Sequence, residues 1–197
     1  MNQEAKVRGL CKEAREGLAD SLVLALAHFR STLARVEAAL KENSIPHAVA
    51  EGNLASVPSL AGRGEQAAVV LSLATITSVH ELAEPTHVDA GPVTILVAER
   101  YFLRAADEEI ERFAATLGNA CRLRFHLALD DPLLREFAGE WTGGMLRALG
   151  MNEADCIEST MVSRRIRTAQ DRIAGRVAED HPAESPEQWW KINAQGN

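Results

Sequence analysis

Two histidines and two carboxylates fall within eight residues near the middle of the chain, and side chains of these types can bind a metal ion. The segment reads His80-Glu81-Leu82-Ala83-Glu84-Pro85-Thr86-His87. A zincin site needs a second histidine four residues after the first, on the same helical face. That position holds Glu84, and Pro85 would end a helix there. We therefore predict a solvated loop with no metal ligand, and rank an unrelated enzyme using this segment third among the functional hypotheses.

Two further candidates for chemistry are the Asp130-Asp131 pair and the thiol of Cys121. Paired carboxylates can perform acid–base catalysis. However, Asp131 directly precedes Pro132, which is the pattern of a helix N-cap with proline in the first turn. Cys121 lies at the start of a predicted strand without an activating base, so we expect a packed thiol. We predict no catalytic residue.

Motifs that position nucleotide phosphates or a serine nucleophile are missing from the sequence. The chain contains no G-x-x-x-x-G-K-[ST] and no G-x-G-x-x-G after a predicted strand. It also contains no G-x-S-x-G. These 197 residues therefore carry neither the usual phosphate loop nor the serine-hydrolase elbow.

The composition is that of a folded chain with an acidic surface: 46% hydrophobic, 25% charged, formal net charge −7. An acidic chain is a poor general binder of nucleic acid. No apolar run approaches the ~20 residues of a membrane span, and the mixed-charge N-terminus is unlike a secretory signal. Cys11, Cys121 and Cys156 have no C-x-x-C spacing, so neither a zinc site nor a disulfide framework is expected. We predict a cytoplasmic protein without a membrane span or a nucleic-acid partner.

Apolar patterns along the chain alternate between strand and helix. Continuous apolar runs favour strands that are buried on both faces, and strands are expected at 22–27, 47–50, 67–73, 93–98 and 122–127. Helical spacing of apolar residues predicts helices at 3–18, 31–41, 105–117, 131–138, 142–149 and about 155–178. Ser31 is expected to cap the second helix. The alternation predicts an α/β fold, with a mostly parallel sheet flanked by helices.

The C-terminal part is expected to differ from the sheet domain. We place the α/β domain at 1–152, a long helix at 153–180 and a tail at 181–197. The helix lacks a full apolar stripe, so it packs either on another chain or domain or on its own sheet. The tail holds a tryptophan pair that anchors a partner, folds back on the domain or stays disordered. The partner-binding candidates are Arg164, Arg165, Arg167, Arg172, Trp189 and Trp190.

The second half of the chain resembles the SecA preprotein translocase motor. The similarity is strongest over 125–137, 144–151, 157–164 and 169–172, which look like the end of the family's second nucleotide-binding fold and the start of its helical scaffold. The first half is similar in order, and Glu99-Arg100 resembles the end of the family's Thr-Glu-Arg strand. The resemblance implies a RecA-like fold of the P-loop NTPase or helicase C-terminal type, followed by a long C-terminal helix.

The same resemblance shows departures at the positions that would act on ATP. The family's Walker motifs belong to its first nucleotide-binding fold, which these 197 residues do not include. In register, the family's Q-x-x-G-R-x-G-R-x-G-D motif falls on 109–119, where its two arginines correspond to Phe113 and Thr116, and Glu111 places a negative charge two residues before the first of them. The family's Ala-Gly-Arg-Gly-Thr-Asp motif falls on 76–81, which contains neither arginine nor glycine. Arginine fingers stabilise charge developing on phosphate, so the resemblance implies a retained fold without catalysis and without a cofactor.

Two functional hypotheses follow from this comparison. The first is a non-catalytic SecA-like domain that acts through protein contacts in preprotein translocation or its regulation. Its partner would be a SecA-type motor, a Sec translocase component or a second copy. The alternative is a nucleotide-responsive subunit that completes an ATP site with a separate SecA-type ATPase chain. Arg100 and Arg104 are the cofactor-binding candidates for that alternative.

Overall fold

The described residues form a five-stranded sheet in which all strands are parallel. The structure is a computed structural model, and it describes residues 2–50, 68–74, 92–117, 121–128, 130–135 and 160–194. The strands are β1 (Leu22–Ala27), β2 (His47–Val49), β3 (Val69–Leu73), β4 (Val93–Val97) and β5 (Cys121–Phe125). Their order across the sheet is β2-β3-β1-β4-β5, and every pairing is parallel. The predicted α/β fold is confirmed.

The helices of the described residues agree with the sequence prediction, except at the C-terminus. They are α1 (Gln3–Gly17), α2 (Arg30–Glu42), α3 (Arg104–Thr116), α4 (Thr160–Ala174) and α5 (Pro186–Asn193), with one helical turn at 132–135. Residues 153–159 of the predicted long helix at 153–180 lie outside the described residues. The described part ends at Ala174, and 175–180 forms turns and bends. The predicted tail contains α5, which packs on the rest of the chain. The predicted helix at 142–149 and the loop at 51–66 lie outside the described residues.

The sheet is covered on both faces because its strands are apolar throughout. Along β1, Val23 and Ala25 lie in one cluster with α1 and α2, whereas Leu24 and Leu26 lie in a second cluster with α3. Helices on opposite faces are the usual consequence of continuous apolar strands in parallel sheets. The neighbouring strands β1 and β4 therefore lead into helices on different faces, α2 and α3. In doubly wound sheets such a divergence opens a crevice at the carboxyl ends of the two strands, where ligands bind.

A third apolar cluster lies at this carboxyl edge. It joins Phe29 after β1 and Phe102 after β4 to Ile166, Ile173 and Trp189 from the C-terminal helices. The chain's own C-terminal segment thus lies beside the place where the topology would put a ligand.

Candidate functional site at the carboxyl edge of the sheet

Glu99, two residues beyond β4, binds the start of α2. Its Oε1 accepts hydrogen bonds from the backbone N–H groups of His28 (3.0 Å) and Phe29 (3.3 Å), and its Oε2 accepts one from the Thr32 hydroxyl (2.6 Å). Burial raises the pKa of Glu99, opposed by His28 and the Thr32 hydrogen bond. The predicted Ser31 cap is wrong, since Phe29 is the N-cap residue and the carboxyl of Glu99 accepts its N–H. A helix N-terminus attracts anions, and here an internal carboxyl already holds that position.

Asp107, in the first turn of α3, joins the loop after β4 to α4. Its Oδ1 accepts a hydrogen bond from the Tyr101 N–H (3.1 Å), and its Oδ2 accepts one from Gln170 Nε2 (2.6 Å) and one from Arg100 Nη1 (3.4 Å). His28 Nε2 lies 3.3 Å from Oδ1 without a hydrogen bond. The Asp107 side chain is 2% exposed, so these contacts replace its hydration.

Arg100, the first of the two nucleotide-binding candidates, is enclosed by groups of its own chain. Its Nη1 lies 3.4 Å from Asp107 Oδ2 and 3.5 Å from Glu111 Oε1. Its guanidinium carbon lies 3.5 Å from the centroid of the Phe125 ring, a cation–π contact. With 14% of its side chain exposed, Arg100 presents little positive charge to solvent.

Arg104, the second candidate, lies on the surface of α3. Its side chain is 44% exposed, and Nε lies 2.6 Å from Glu108 Oε1. An exposed pair at this spacing contributes little free energy. Arg104 is therefore the more available of the two arginines.

Glu111, Phe113 and Thr116, which lie within the resembled arginine motif, have other structural roles on α3. Glu111 contacts Arg100, so a negative charge at this position offsets a neighbouring positive one. Phe113 is 3% exposed and packs with Ile110 under the sheet. Thr116 is the last residue of the helix. An arginine at position 113 would have its guanidinium buried among apolar side chains, which is costly for a charged group.

Asp131 forms a buried clasp with the start of α1. Its Oδ1 accepts hydrogen bonds from Lys6 Nζ (2.7 Å) and Gln3 Nε2 (2.6 Å), and its Oδ2 accepts one from the Ala128 N–H (2.7 Å). Of the helix predicted at 131–138, the described part is helical at 132–135, and 136–138 lie outside the described residues. The carboxylate oxygens nevertheless hold α1 and the preceding loop, which is a role that the N-cap prediction did not foresee.

His126, the first residue after β5, is buried near the same clasp. Burial, with the positive charges of Lys6 and Arg124, lowers the pKa of His126 to about 4. Its Nε2 lies 3.8 Å from Glu13 Oε2, beyond hydrogen-bond distance. The imidazole is therefore neutral at ordinary pH and places no charge at this buried position.

The remaining chemical candidates give no site in the described part of the chain. The segment 80–87 lies outside it, and among the described residues no three His, Cys, Asp or Glu side chains come together as metal ligands. Burial raises the pKa of Cys121, as expected for a packed thiol. None of the described helices is long and apolar enough to cross a membrane.

The arginines predicted to bind a partner lie on the outer face of α4. The exposed members of this set are Arg164, Arg165, Arg167 and Arg172. The opposite face buries Ile166, Ala169 and Ile173 in the third cluster. Of the two alternatives for this helix, the described residues show packing on the chain's own domain, since aromatic residues of the third cluster cover Ile166, Ala169 and Ile173.

The tryptophan pair folds back on the domain, one of the three alternatives. Trp189 is 0% exposed and stacks on Phe102 with ring centroids 4.3 Å apart at 6°. Trp190 is half-buried, 5.6 Å from the same ring. In this conformation Trp189 is unavailable to a partner, and we remove it from the candidate surface.

Sequence reasoning missed the polar residues that are buried at this edge. Lys6 occupies the apolar stripe of α1, four residues before Leu10. Gln170 occupies that of α4, four residues after Ile166. A polar side chain on the apolar face of a predicted helix is the sequence signal that indicates such residues, because a buried polar group needs a buried hydrogen-bond partner.

Comparisons with known proteins agree on one family. Residues 50–154 match the SecA P-loop domain. The protein translocase subunit SecA of Nitratidesulfovibrio vulgaris is 32% identical over 140 residues, which are 69% of this chain and 17% of that protein. SecA of Dichelobacter nodosus is 43% identical over 84 residues, 43% of this chain and 9% of that protein. This chain thus spans less than a fifth of these relatives' length.

Among solved structures, the crystal structure of the C-terminal part of the Fun30 ATPase domain aligns with 77% of this chain and 48% of that chain. The sequence identity is 13% and the TM-score 0.39, a likeness too distant to bear on function.

Proposed function

This chain belongs to the SecA family, and from that premise we propose that it is a non-catalytic SecA-like domain that acts through protein contacts. It would work in the cytoplasm, in preprotein translocation or its regulation. It would hydrolyse no ATP by itself and carry no cofactor.

The observation that carries the proposal is the charge arrangement around Arg100. Phosphoryl transfer needs fixed positive charge directed at the phosphate. Arg100 instead contacts Asp107 and Glu111 at 3.4 and 3.5 Å. Releasing it toward a phosphate would leave the Asp107 carboxylate, 2% exposed, without that pair.

The start of α2 supports the same conclusion from a second direction. Glu99 accepts the N–H groups of His28 and Phe29, and the carbonyl of Glu184 accepts the N–H of Ser31 (3.0 Å). Donors that could bind a phosphate at a helix N-terminus are thus used internally. A nucleotide phosphate at this edge would meet a carboxyl group.

The outer face of α4 is the surface that we propose for the partner. Arg164, Arg167 and Arg172 are exposed there, and within the described residues no salt bridge joins them to a carboxylate. The complementary partner is an acidic surface of a SecA-type motor or of another Sec translocase component.

The alternative proposal, a nucleotide-responsive subunit, depends on Arg104. Its exposed pair with Glu108 is weak enough to exchange for a phosphate supplied by another chain. Arg100 has no such freedom. The two proposals therefore differ in whether association with a motor depends on nucleotide.

The test uses the purified full-length chain and a purified SecA ATPase. We expect no ATP turnover from the chain alone and salt-sensitive binding to the motor. Reversal of the basic face in R164E/R167E/R172E should weaken that binding by roughly tenfold or more. The matched control R8E/K12E/K41E reverses three exposed charges on α1 and α2 and should leave it unchanged.

Two outcomes would contradict the proposal. ATP turnover by the chain alone would show catalysis without the family's arginines. Binding that requires ATP and is lost in Arg104→Ala, but not in the basic-face variant, would select the nucleotide-responsive alternative.

A further inference from the structure

The third cluster contains an aromatic platform that receives a helix from the C-terminus. We define the platform as Phe29, Tyr101 and Phe102, and the C-terminal strap as residues 175–194, which end in α5. The platform residues follow β1 and β4, so the platform lies at the carboxyl ends of the diverging strands. The strap therefore covers the place where a doubly wound sheet binds its ligand.

Trp189 is the anchor of the strap. Its ring stacks on Phe102 at 4.3 Å and meets Tyr101 edge-on, with centroids 5.8 Å apart at 68°. The indole N–H donates to Asp180 Oδ1 (2.7 Å). A fully buried tryptophan with a satisfied N–H, set among aromatic rings, is the type of residue that dominates binding energy at helix-docking interfaces.

Polar contacts fix how the strap lies on the platform. The Tyr101 hydroxyl donates to both oxygens of Asp180, at 3.0 and 3.1 Å. Burial and the Asp180 charge raise the pKa of Tyr101, so its hydroxyl remains a donor at ordinary pH. The backbone carbonyl of Glu184 accepts from the Ser31 N–H at the first turn of α2. One carboxylate nine residues before the tryptophan thus completes the recognition pattern.

The strap has little stability of its own. Its helix has 8 residues, well under the ~12–15 that an isolated helix needs in water. The segment that links it to α4 is exposed at most positions from 175 to 180. The strap therefore keeps its helical structure through its contacts with the platform, chiefly those of Trp189. Docking of the strap is therefore an equilibrium that a competing helix can shift.

We propose that the aromatic platform is a docking site for a short partner helix that carries a buried tryptophan and an upstream carboxylate, and that the strap is the internal ligand which holds this site. The strap defines the chemistry of the partner, since its Trp189 stacks on the platform rings and its Asp180 accepts a hydrogen bond from Tyr101. The site takes a peptide helix, not a phosphate. This inference goes beyond the proposed function. Docking of the helix is measured without nucleotide and without a translocase component, so the inference and the proposed function can fail independently of each other.

The test uses the full-length chain and a fluorescent peptide with the sequence of residues 179–194. Trp189→Ala in the chain empties the anchor position, and fluorescence anisotropy then measures the peptide binding in trans. We expect binding to this variant at micromolar peptide and at least roughly tenfold weaker binding to the wild-type chain, whose own strap competes. A peptide with alanine at the position of Trp189 should not bind. Lys191→Ala, at an exposed position of the same helix, is the control in the chain and should behave like wild type.

A second preparation covers the case in which Trp189→Ala does not fold. A protease site placed in the exposed link at 176–179 allows the chain to fold intact and then be cut. The labelled peptide should exchange with the cut strap. Binding of the alanine peptide as tightly as the native one, or no binding to either preparation, would overturn the proposal. Wild-type chains that form a dimer by exchanging straps would assign the platform to a second copy instead of a separate partner.

Discussion

The interior of the sheet and its carboxyl edge differ in the side chains that they bury: apolar ones in the interior and charged ones at the edge. In the interior, side chains such as Val70 and Ile95 are apolar and 0% exposed. At the edge, the buried set includes Lys6, Glu99 and Asp107, each at 4% exposure or less. Lys6 binds Asp131, Asp107 binds Arg100, and Glu99 binds the start of α2. The fold therefore persists while the charges at its edge satisfy internal partners instead of a ligand.

The contrast between interior and edge is tested most severely by returning an arginine to the interior side of α3. Phe113→Arg restores the residue type of the resembled motif but places a guanidinium in the cluster under the sheet. We expect a loss of at least about 4 kcal/mol of unfolding free energy, because a buried charge lacks a partner there. Urea denaturation followed by circular dichroism measures it. Phe113→Leu is the control and should cost under about 1.5 kcal/mol. A stable Phe113→Arg variant would mean that α3 can still accommodate an arginine finger at this position.

The next largest effect should come from the clasp at the edge. Lys6→Met leaves the Asp131 carboxylate without its cation, 2.7 Å away in the wild type. Removing one partner of a buried pair costs about 3 kcal/mol or more, measured by the same urea titration. The double variant K6M/D131N should recover over half of the loss. The exposed pair is the matched control: Arg104→Ala should cost under about 0.5 kcal/mol. Equal losses of unfolding free energy in Lys6→Met and Arg104→Ala would contradict the claim that the buried clasp contributes more stability than the exposed pair.

Acid should weaken the edge through His126. Its pKa falls from 6.5 to about 4 on folding. Above pH 6.5 the imidazole is neutral in both states and has no effect; as the pH falls from 6.5 toward 4, only the unfolded chain gains the proton, so stability declines by about 3 kcal/mol. Lys6, Arg124 and Glu13 face this ring, and the carboxylates also titrate in acid. The measurement is therefore the difference between wild type and His126→Gln from pH 7 to pH 4. Parallel curves would contradict a buried neutral histidine.

The smallest expected effect concerns Glu111. Glu111→Arg places a second cation beside Arg100, where the wild type has an oxygen 3.5 Å away. Because Glu111 is 38% exposed, the loss should stay under about 1 kcal/mol. The variant should also gain no nucleotide affinity, since Phe113 remains apolar. Measurable ATP binding by this variant would show that one added cation is enough.

Apolar patterning is sufficient to predict the interior, because a strand that is buried on both faces requires a continuous apolar run. The predicted ends of β1 and β4 lie within one residue of the observed ends. The edge is not predictable in the same way. Lys6 and Asp131 are 125 residues apart in sequence, and only the folded topology brings them together. The position of Trp189 likewise depends on the loops that follow β1 and β4. The sequence therefore does not distinguish between the three alternatives for the tryptophan pair.

We propose that the carboxyl edge has no phosphate site, and calorimetry tests this most directly. The full-length chain would be titrated with ATP and with ADP in the presence of magnesium. No binding heat at millimolar nucleotide is the predicted result, since Arg100 and the start of α2 already have carboxyl partners. Binding at micromolar nucleotide would contradict the proposal and would make Arg104 and Arg100 the first residues to replace.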